Sequence, residues 1–216
     1  MFVPPIPDRI DFASIAEKYF KQTGNAIEIG VWAGDYARYN LNFWSGTYYM
    51  CDAWSHRPED AKKQLWDRNG TSQDEWNTIK EAAISNTSFA VDRVKIVQSF
   101  SADAAKIFPD KYFDWIYLDA MHDYDNVKQD LICWWPKLRD GGIFSGDDYG
   151  LSQECSLDPT MTPERFTKKC GYDATSSENR WGTLNALCEF SYDNNLILQG
   201  TWLNDTHNPS WYIIKN

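Results

Sequence analysis

Two short stretches concentrate the residues able to do chemistry: Tyr117-Leu118-Asp119-Ala120-Met121-His122-Asp123-Tyr124 and Gly142-Ile143-Phe144-Ser145-Gly146-Asp147-Asp148-Tyr149. If Asp119, Asp147 and Asp148 converge, their charges repel, and a hard divalent cation with oxygen ligands is the usual compensator. The three therefore read as a candidate metal site. The competing reading is a set of separate helix N-caps, which aspartates make well. His122 lies three positions after Asp119, and its imidazole can take a proton near neutral pH. It is a candidate base, with a surface or supporting role as the alternative.

A second group lies upstream. Glu28-Ile29-Gly30-Val31-Trp32-Ala33-Gly34 reads as a strand running into a glycine loop and a helix, an arrangement that lets backbone N–H groups approach a ligand. Asp52 falls about 22 residues beyond Gly30, where a carboxylate can accept both hydroxyls of a ribose. A capping or turn aspartate is the alternative there. Neither the GxGxxG dinucleotide fingerprint nor the GxxxxGK[ST] phosphate loop is present.

These residues need a scaffold that carries them to one place, and the periodicity supplies it. A Pro-rich lead and a helix over Asp11 to Phe20 precede a strand over Ala26 to Val31 and a helix over Tyr36 to Phe43. Thr47 to Cys51, Val94 to Val97 and Asp114 to Leu118 read as strands, and Glu75 to Ile84, Ala102 to Phe108 and Tyr124 to Trp134 as helices. Gly141-Gly142 turns the chain into a strand over Ile143 to Gly146. A helix over Trp181 to Phe190 then leads to two strands, Leu196 to Trp202 and Trp211 to Ile214. Strands alternating with helices imply right-handed βαβ units, hence an α/β, Rossmann-like, doubly wound sheet of seven mostly parallel strands. The final hairpin is expected to be antiparallel at the sheet edge. Residues 150–180, rich in Ser, Thr, Pro and Asp, read as a lid over the site.

Composition narrows the function classes. A length of 216 residues suits one domain, residues 1–216 with a helical lead over 1–24, and 43% hydrophobic content with 11 Trp excludes a disordered chain. A net charge of −10 without a basic stripe argues against a nucleic-acid partner. No apolar run approaches the ~18 residues of a membrane span, and the N-terminus lacks the basic and apolar regions of a secretory signal. The five cysteines are odd in number and never in CxxC spacing, so a reducing cytoplasm is expected rather than a disulfide framework. A homo-oligomer is compatible with all of this.

Taken together, the motifs resemble the class I S-adenosylmethionine (SAM)-dependent methyltransferases, most closely the small O-methyltransferases related to catechol and macrocin-type enzymes. The likeness runs from about Ala26 to Phe190. Glu28, Gly30 and Gly34 match the family's first motif, with Trp32 in place of its middle glycine. Asp52 matches the ribose-binding acid, and Ser101 with Ala102 falls where the family contacts adenine. Asp119 matches the carboxylate ending the fourth strand, on both the cofactor and the metal side. Asp147 and Asp148 fall on the family's metal pair. His122 stands where catechol-type enzymes place a lysine base, while Asp119 is the base candidate in macrocin-type relatives. The resemblance implies methyl transfer from SAM to a hydroxyl of a small molecule, a sugar or another hydroxylated compound, assisted by Mg²⁺ or another divalent cation. A nicotinamide-dependent oxidoreductase and a non-catalytic SAM-binding protein are the alternatives; the missing GxGxxG counts against the first.

Overall fold

A computed structural model describes residues 5–56, 71–149, 182–201 and 209–216. Seven strands form one sheet: β1 (Asn25–Ile29), β2 (Thr47–Asp52), β3 (Val94–Gln98), β4 (Phe113–Leu118), β5 (Leu138–Gly146), β6 (Gln199–Gly200) and β7 (Trp211–Ile214). Their order is β3-β2-β1-β4-β5-β7-β6. The first five are parallel, and β7 is antiparallel to both its neighbours. The order reverses direction beside β1, and at such a switch point the carboxyl ends of the strands leave a crevice for ligands.

The central strands β1 and β4 are buried almost throughout because both faces are covered, whereas β3 at the edge has no buried residue. On one face, Phe12, Trp44, Tyr48, Trp115 and Tyr212 pack beneath α1 (Phe12–Ile15), α2 (Asp35–Asn40) and α3 (Gln73–Asn86). On the other, Ile27, Ile116, Leu131, Trp134 and Leu187 pack beneath α4 (Ser101–Ala104), α5 (Tyr124–Trp134) and α6 (Thr183–Asp193). Side chains alternate along β1, so Ile27 and Ile29 enter the second core while Glu28 points toward the first. Local signals set the helix starts. Ser72 and Glu75 form a reciprocal capping box for α3, a device worth about 1 kcal/mol. Asp123 caps α5 by accepting from Asn126 N at 3.2 Å.

Three expectations change. The N-terminal helix is composite, with a 3₁₀ turn over Arg9–Asp11 and a π turn over Ala16–Phe20 flanking α1; it stops at Lys21 in the left-handed conformation. Gly141-Gly142 lies inside β5 rather than ahead of it, at a register shift against β4 where Gly141 has φ +76°. The final hairpin is antiparallel and closes one edge of the sheet as expected, with β7 against β5 and β6 outermost. Of the described residues in Leu196 to Trp202, Gln199 and Gly200 form strand. The proposed lid over 150–180, Trp181 and most of the turn over 204–210 lie outside the described residues. Among the described residues no helix is long and apolar enough to cross a membrane.

Candidate active site

A cavity of about 510 Å³ runs along the carboxyl edge of the sheet, within the ~300–1,000 Å³ span of small-molecule sites. Its wall passes from Ser99, Ser101, Ala102 and Asp130 beyond β3, past Asp52 and Gly30, to Asp119, His122, Asp148 and Arg9. The strand order places these two groups of residues at opposite ends.

The first end is organised by Asp52. Its Oδ2 accepts Val31 N and Trp32 N, both at 2.9 Å, and its Oδ1 accepts Trp54 N at 2.8 Å. The carboxylate thus fixes the loop after β1 while staying on the cavity wall. Trp32 has φ +53°, a left-handed backbone that costs a non-glycine residue ~1–2 kcal/mol. That cost is offset by its bond to Asp52, by Trp54 Nε1 donating to its carbonyl at 3.0 Å, and by ring contact with Trp76. The glycines serve packing as well as ligand approach. A side chain on Gly30 would meet the Asp119 carbonyl at 2.0 Å, and one on Gly34 the Ala83 Cα at 2.9 Å. Gly30 lines the cavity, whereas Gly34 turns toward α3.

Ser101 and Ala102 stand at the β3 end. Ser101 Oγ donates to Asp130 Oδ1 at 2.5 Å and accepts Trp134 Nε1 at 2.8 Å. Asp130, a buried carboxylate on the cavity wall, was not singled out in the sequence; inside an amphipathic helix, an acid has no signal of its own. Glu28 is fully buried and accepts Tyr48 Oη at 2.8 Å, and Asn40 Nδ2 donates to the same phenol at 3.1 Å. Burial pushes the Glu28 carboxyl up to about 8 despite the Tyr48 bond.

The other end gathers three aspartates, as parallel β4 and β5 require: Leu118 pairs with Gly146, so the residues that follow emerge side by side. They do not play one role. Arg9, from the 3₁₀ turn before α1, forms an ion pair with Asp147 and lies 3.3 Å from Asp119 Oδ2. Its guanidinium stacks 4.6 Å from the Tyr36 ring centroid, and Tyr36 Oη holds the Arg9 carbonyl at 2.8 Å. Asp147 also accepts Ser210 Oγ at 3.0 Å. By contrast, Asp148 Oδ2 and Asp119 Oδ1 face His122 Nε2 at 3.2 and 3.5 Å. Asp119, His122 and Asp148 offer ligand atoms within 4.8 Å of one another, a set able to hold a metal ion. Asp147 is not among them.

The electrostatics follow this partition. Burial pushes the Asp147 carboxyl up to about 7, helped by the Asp119 charge and opposed by Arg9. Asp119 lies below the ordinary carboxylate range, because bonding to His122 and the positive charges of His122 and Arg9 outweigh its burial. Burial alone would lower the His122 imidazole; the hydrogen bond to Asp119 and the charges of Asp148, Asp119 and Asp147 raise it above its ordinary 6.5. Arg9 is held protonated by the same surroundings despite burial. Sequence reading missed Arg9 altogether, since nothing in a short Pro-rich lead marks one arginine as a partner for residues more than a hundred positions away.

Solved structures share the whole architecture at low sequence identity. A Corynebacterium glutamicum protein superposes with a TM-score of 0.60 at 16% identity, covering 98% of this chain and 82% of its own. The O-methyltransferase TomG from Streptomyces achromogenes, involved in tomaymycin synthesis and solved with SAM, gives 0.58 at 13% identity over 96% and 80%. The O-methyltransferase from Bacillus cereus, in complex with S-adenosylhomocysteine (SAH), gives 0.54 at 15% identity over 96% and 80%. No curated protein matches in sequence. A family model described as a methyltransferase domain matches residues 27–149, from the core of β1 to just past the Asp147-Asp148 pair. With the glycine loop, Asp52 and the acidic end all inside that span, the chain belongs to this methyltransferase-domain family.

Proposed function

We propose that this protein transfers the methyl group of SAM to a hydroxyl of a small molecule, a sugar or another hydroxylated compound. The observation that carries this reading is the division of one cavity into two chemically different ends. The β2–β3 end offers Asp52 to ribose hydroxyls and Ser101, Ala102 and Asp130 to the adenine, whose amino group matches an acceptor carboxylate. Glu28, Gly30 and the loop backbone line the stretch leading to Asp119. The opposite end offers Asp119, His122 and Asp148 to the acceptor. The methyl group of SAM is already activated, so the protein must align it with the acceptor oxygen and remove that oxygen's proton.

Asp119, His122 and Asp148 fit a divalent cation by donor type and mutual distance, and they are the residues that would hold Mg²⁺ or a similar ion. Such an ion would lower the acceptor hydroxyl's pKa and fix its position. A second reading rests on the 3.2 Å approach of His122 to Asp148: His122 Nε2 takes the proton directly, and the flanking carboxylates stabilise the imidazolium. One nitrogen cannot serve both roles at once. A small acceptor suits the net charge of −10, and the free thiols of Cys51, Cys133 and Cys188 suit a cytoplasmic setting.

The test is transfer of labelled methyl from SAM to a panel of sugars and catechols, with excess EDTA and then with added Mg²⁺. Turnover abolished by EDTA and restored by Mg²⁺ is the expected result. Full turnover in EDTA would select His122 as an unassisted base. No transfer to any acceptor despite SAM binding would favour a non-catalytic cofactor-binding protein.

A further inference from the structure

We propose that Arg9 is the resident cation of the acidic end: it commits Asp147 to itself, leaving Asp119, His122 and Asp148 as the only part of the cluster open to a metal. The inference rests on the divalent-cation reading of that end and concerns which residues set the ion's affinity. Three aspartates just beyond two adjacent strands enter a largely buried space, where each carboxyl must be paired or protonated. The sequence alone points to a metal as the usual compensator. The structure supplies half of the answer from the protein itself.

Arg9 fits this role in four ways. Its planar fork reaches two carboxylates at once, Asp147 through Nη1 and Asp119 through Nη2. Its side chain is 15% exposed, so its charge is poorly screened. Tyr36 and Tyr117 stack on the guanidinium, and Tyr36 Oη anchors the Arg9 carbonyl, so both ends of the residue are fixed. Asp8 accepts Ile10 N, holding the turn that presents it. A lysine would bring the same charge as a point, without spanning both acids. Arg9 thereby divides the acids: Asp119 Oδ2 and Asp147 face the guanidinium, while Asp119 Oδ1 and Asp148 face His122.

The consequence is a site whose affinity for a divalent ion is held down by a fixed positive charge beside it. Removing that charge frees Asp147 and should tighten ion binding, the reverse of what loss of a merely structural residue would do. The probe is Mn²⁺ alone, followed by electron paramagnetic resonance of the free ion and by titration calorimetry on the full chain. Arg9→Met should bind Mn²⁺ at least ~10-fold more tightly than the parent, and Arg9→Lys should fall between the two. Adding Asp147→Asn to Arg9→Met should remove most of the gain, which a double-mutant cycle measures directly. Circular dichroism establishes that each variant is folded, and Asp147→Asn alone, which keeps Arg9, should lower parental Mn²⁺ affinity far less than Asp148→Asn does. Equal or weaker Mn²⁺ binding by folded Arg9→Met, or equal losses in the two single Asn variants, would overturn the proposal. If no variant and no parent binds Mn²⁺, the divalent-cation reading itself fails.

Discussion

Asp52 at the end of β2 and Asp147 just after β5 are both carboxylates delivered to the same edge of the sheet, and they are neutralised in opposite ways. Asp52 is wrapped by backbone N–H groups of Val31, Trp32 and Trp54, two from the neighbouring loop and one from its own. Asp147 is matched by a guanidinium contributed from the start of the chain. Backbone donors hold the Asp52 carboxylate on the cavity wall, the position that the proposed ribose contact requires. Arg9 and Ser210 hold Asp147, and Arg9 reaches Asp119 Oδ2 as well, while Asp119 Oδ1 and Asp148 face His122. On the function proposed above, the first end binds the cofactor and the second moves a proton or holds an ion.

The largest expected effect tests the second end. His122→Ala should lower methyl transfer by roughly 10²–10⁴-fold while SAH still binds. Both the base and the metal-ligand readings need the neutral imidazole. Because its surroundings raise the imidazole above 6.5, activity in the parent should climb with pH and reach half its plateau above that value. A pH–rate profile with its midpoint below 6.5 would break the link between His122 and its flanking carboxylates.

A smaller effect concerns Glu28, which lies between the two ends. Its carboxyl titrates near 8 when folded against an ordinary 4.5. Between those values the folded state keeps a proton that the unfolded chain has released, so this group makes stability fall as pH rises through that window. Glu28→Gln removes the effect. Its melting temperature relative to the parent should be higher by roughly 5 °C at about pH 9 than at about pH 5. A constant difference across pH would show that Glu28 is ionised in the fold.

The same contrast explains what could be read from the sequence. The β1 loop, Asp52, Asp119 and the Asp147-Asp148 pair were legible because strand ends are marked by apolar runs that stop, and adjacent parallel strands deliver their ends together. α5 was read over Tyr124–Trp134 as observed, since it carries both a cap and a clear apolar stripe. Arg9 was not legible: its partners lie 138 and 110 positions away, and contacts at that separation leave no local pattern. Asp130 escaped for a related reason, because its partner Ser101 sits on a different helix. The composite N-terminal helix and the glycines inside β5 were misjudged because local propensity gave way to packing on the sheet and pairing with β4.

On the proposed function, the β2 end of the cavity holds the adenosine part of SAM through Asp52, and the decisive experiment titrates SAH into the parent and into Asp52→Asn under identical conditions. Saturable one-to-one binding by the parent and a loss of at least ~10-fold in the variant, about 1.4 kcal/mol, are expected. The Asn amide would set a donor against either the Val31 and Trp32 N–H groups or the Trp54 N–H, so part of the network that fixes the loop must fail. No SAH binding by the folded parent, or equal affinity in the two proteins, would contradict this assignment.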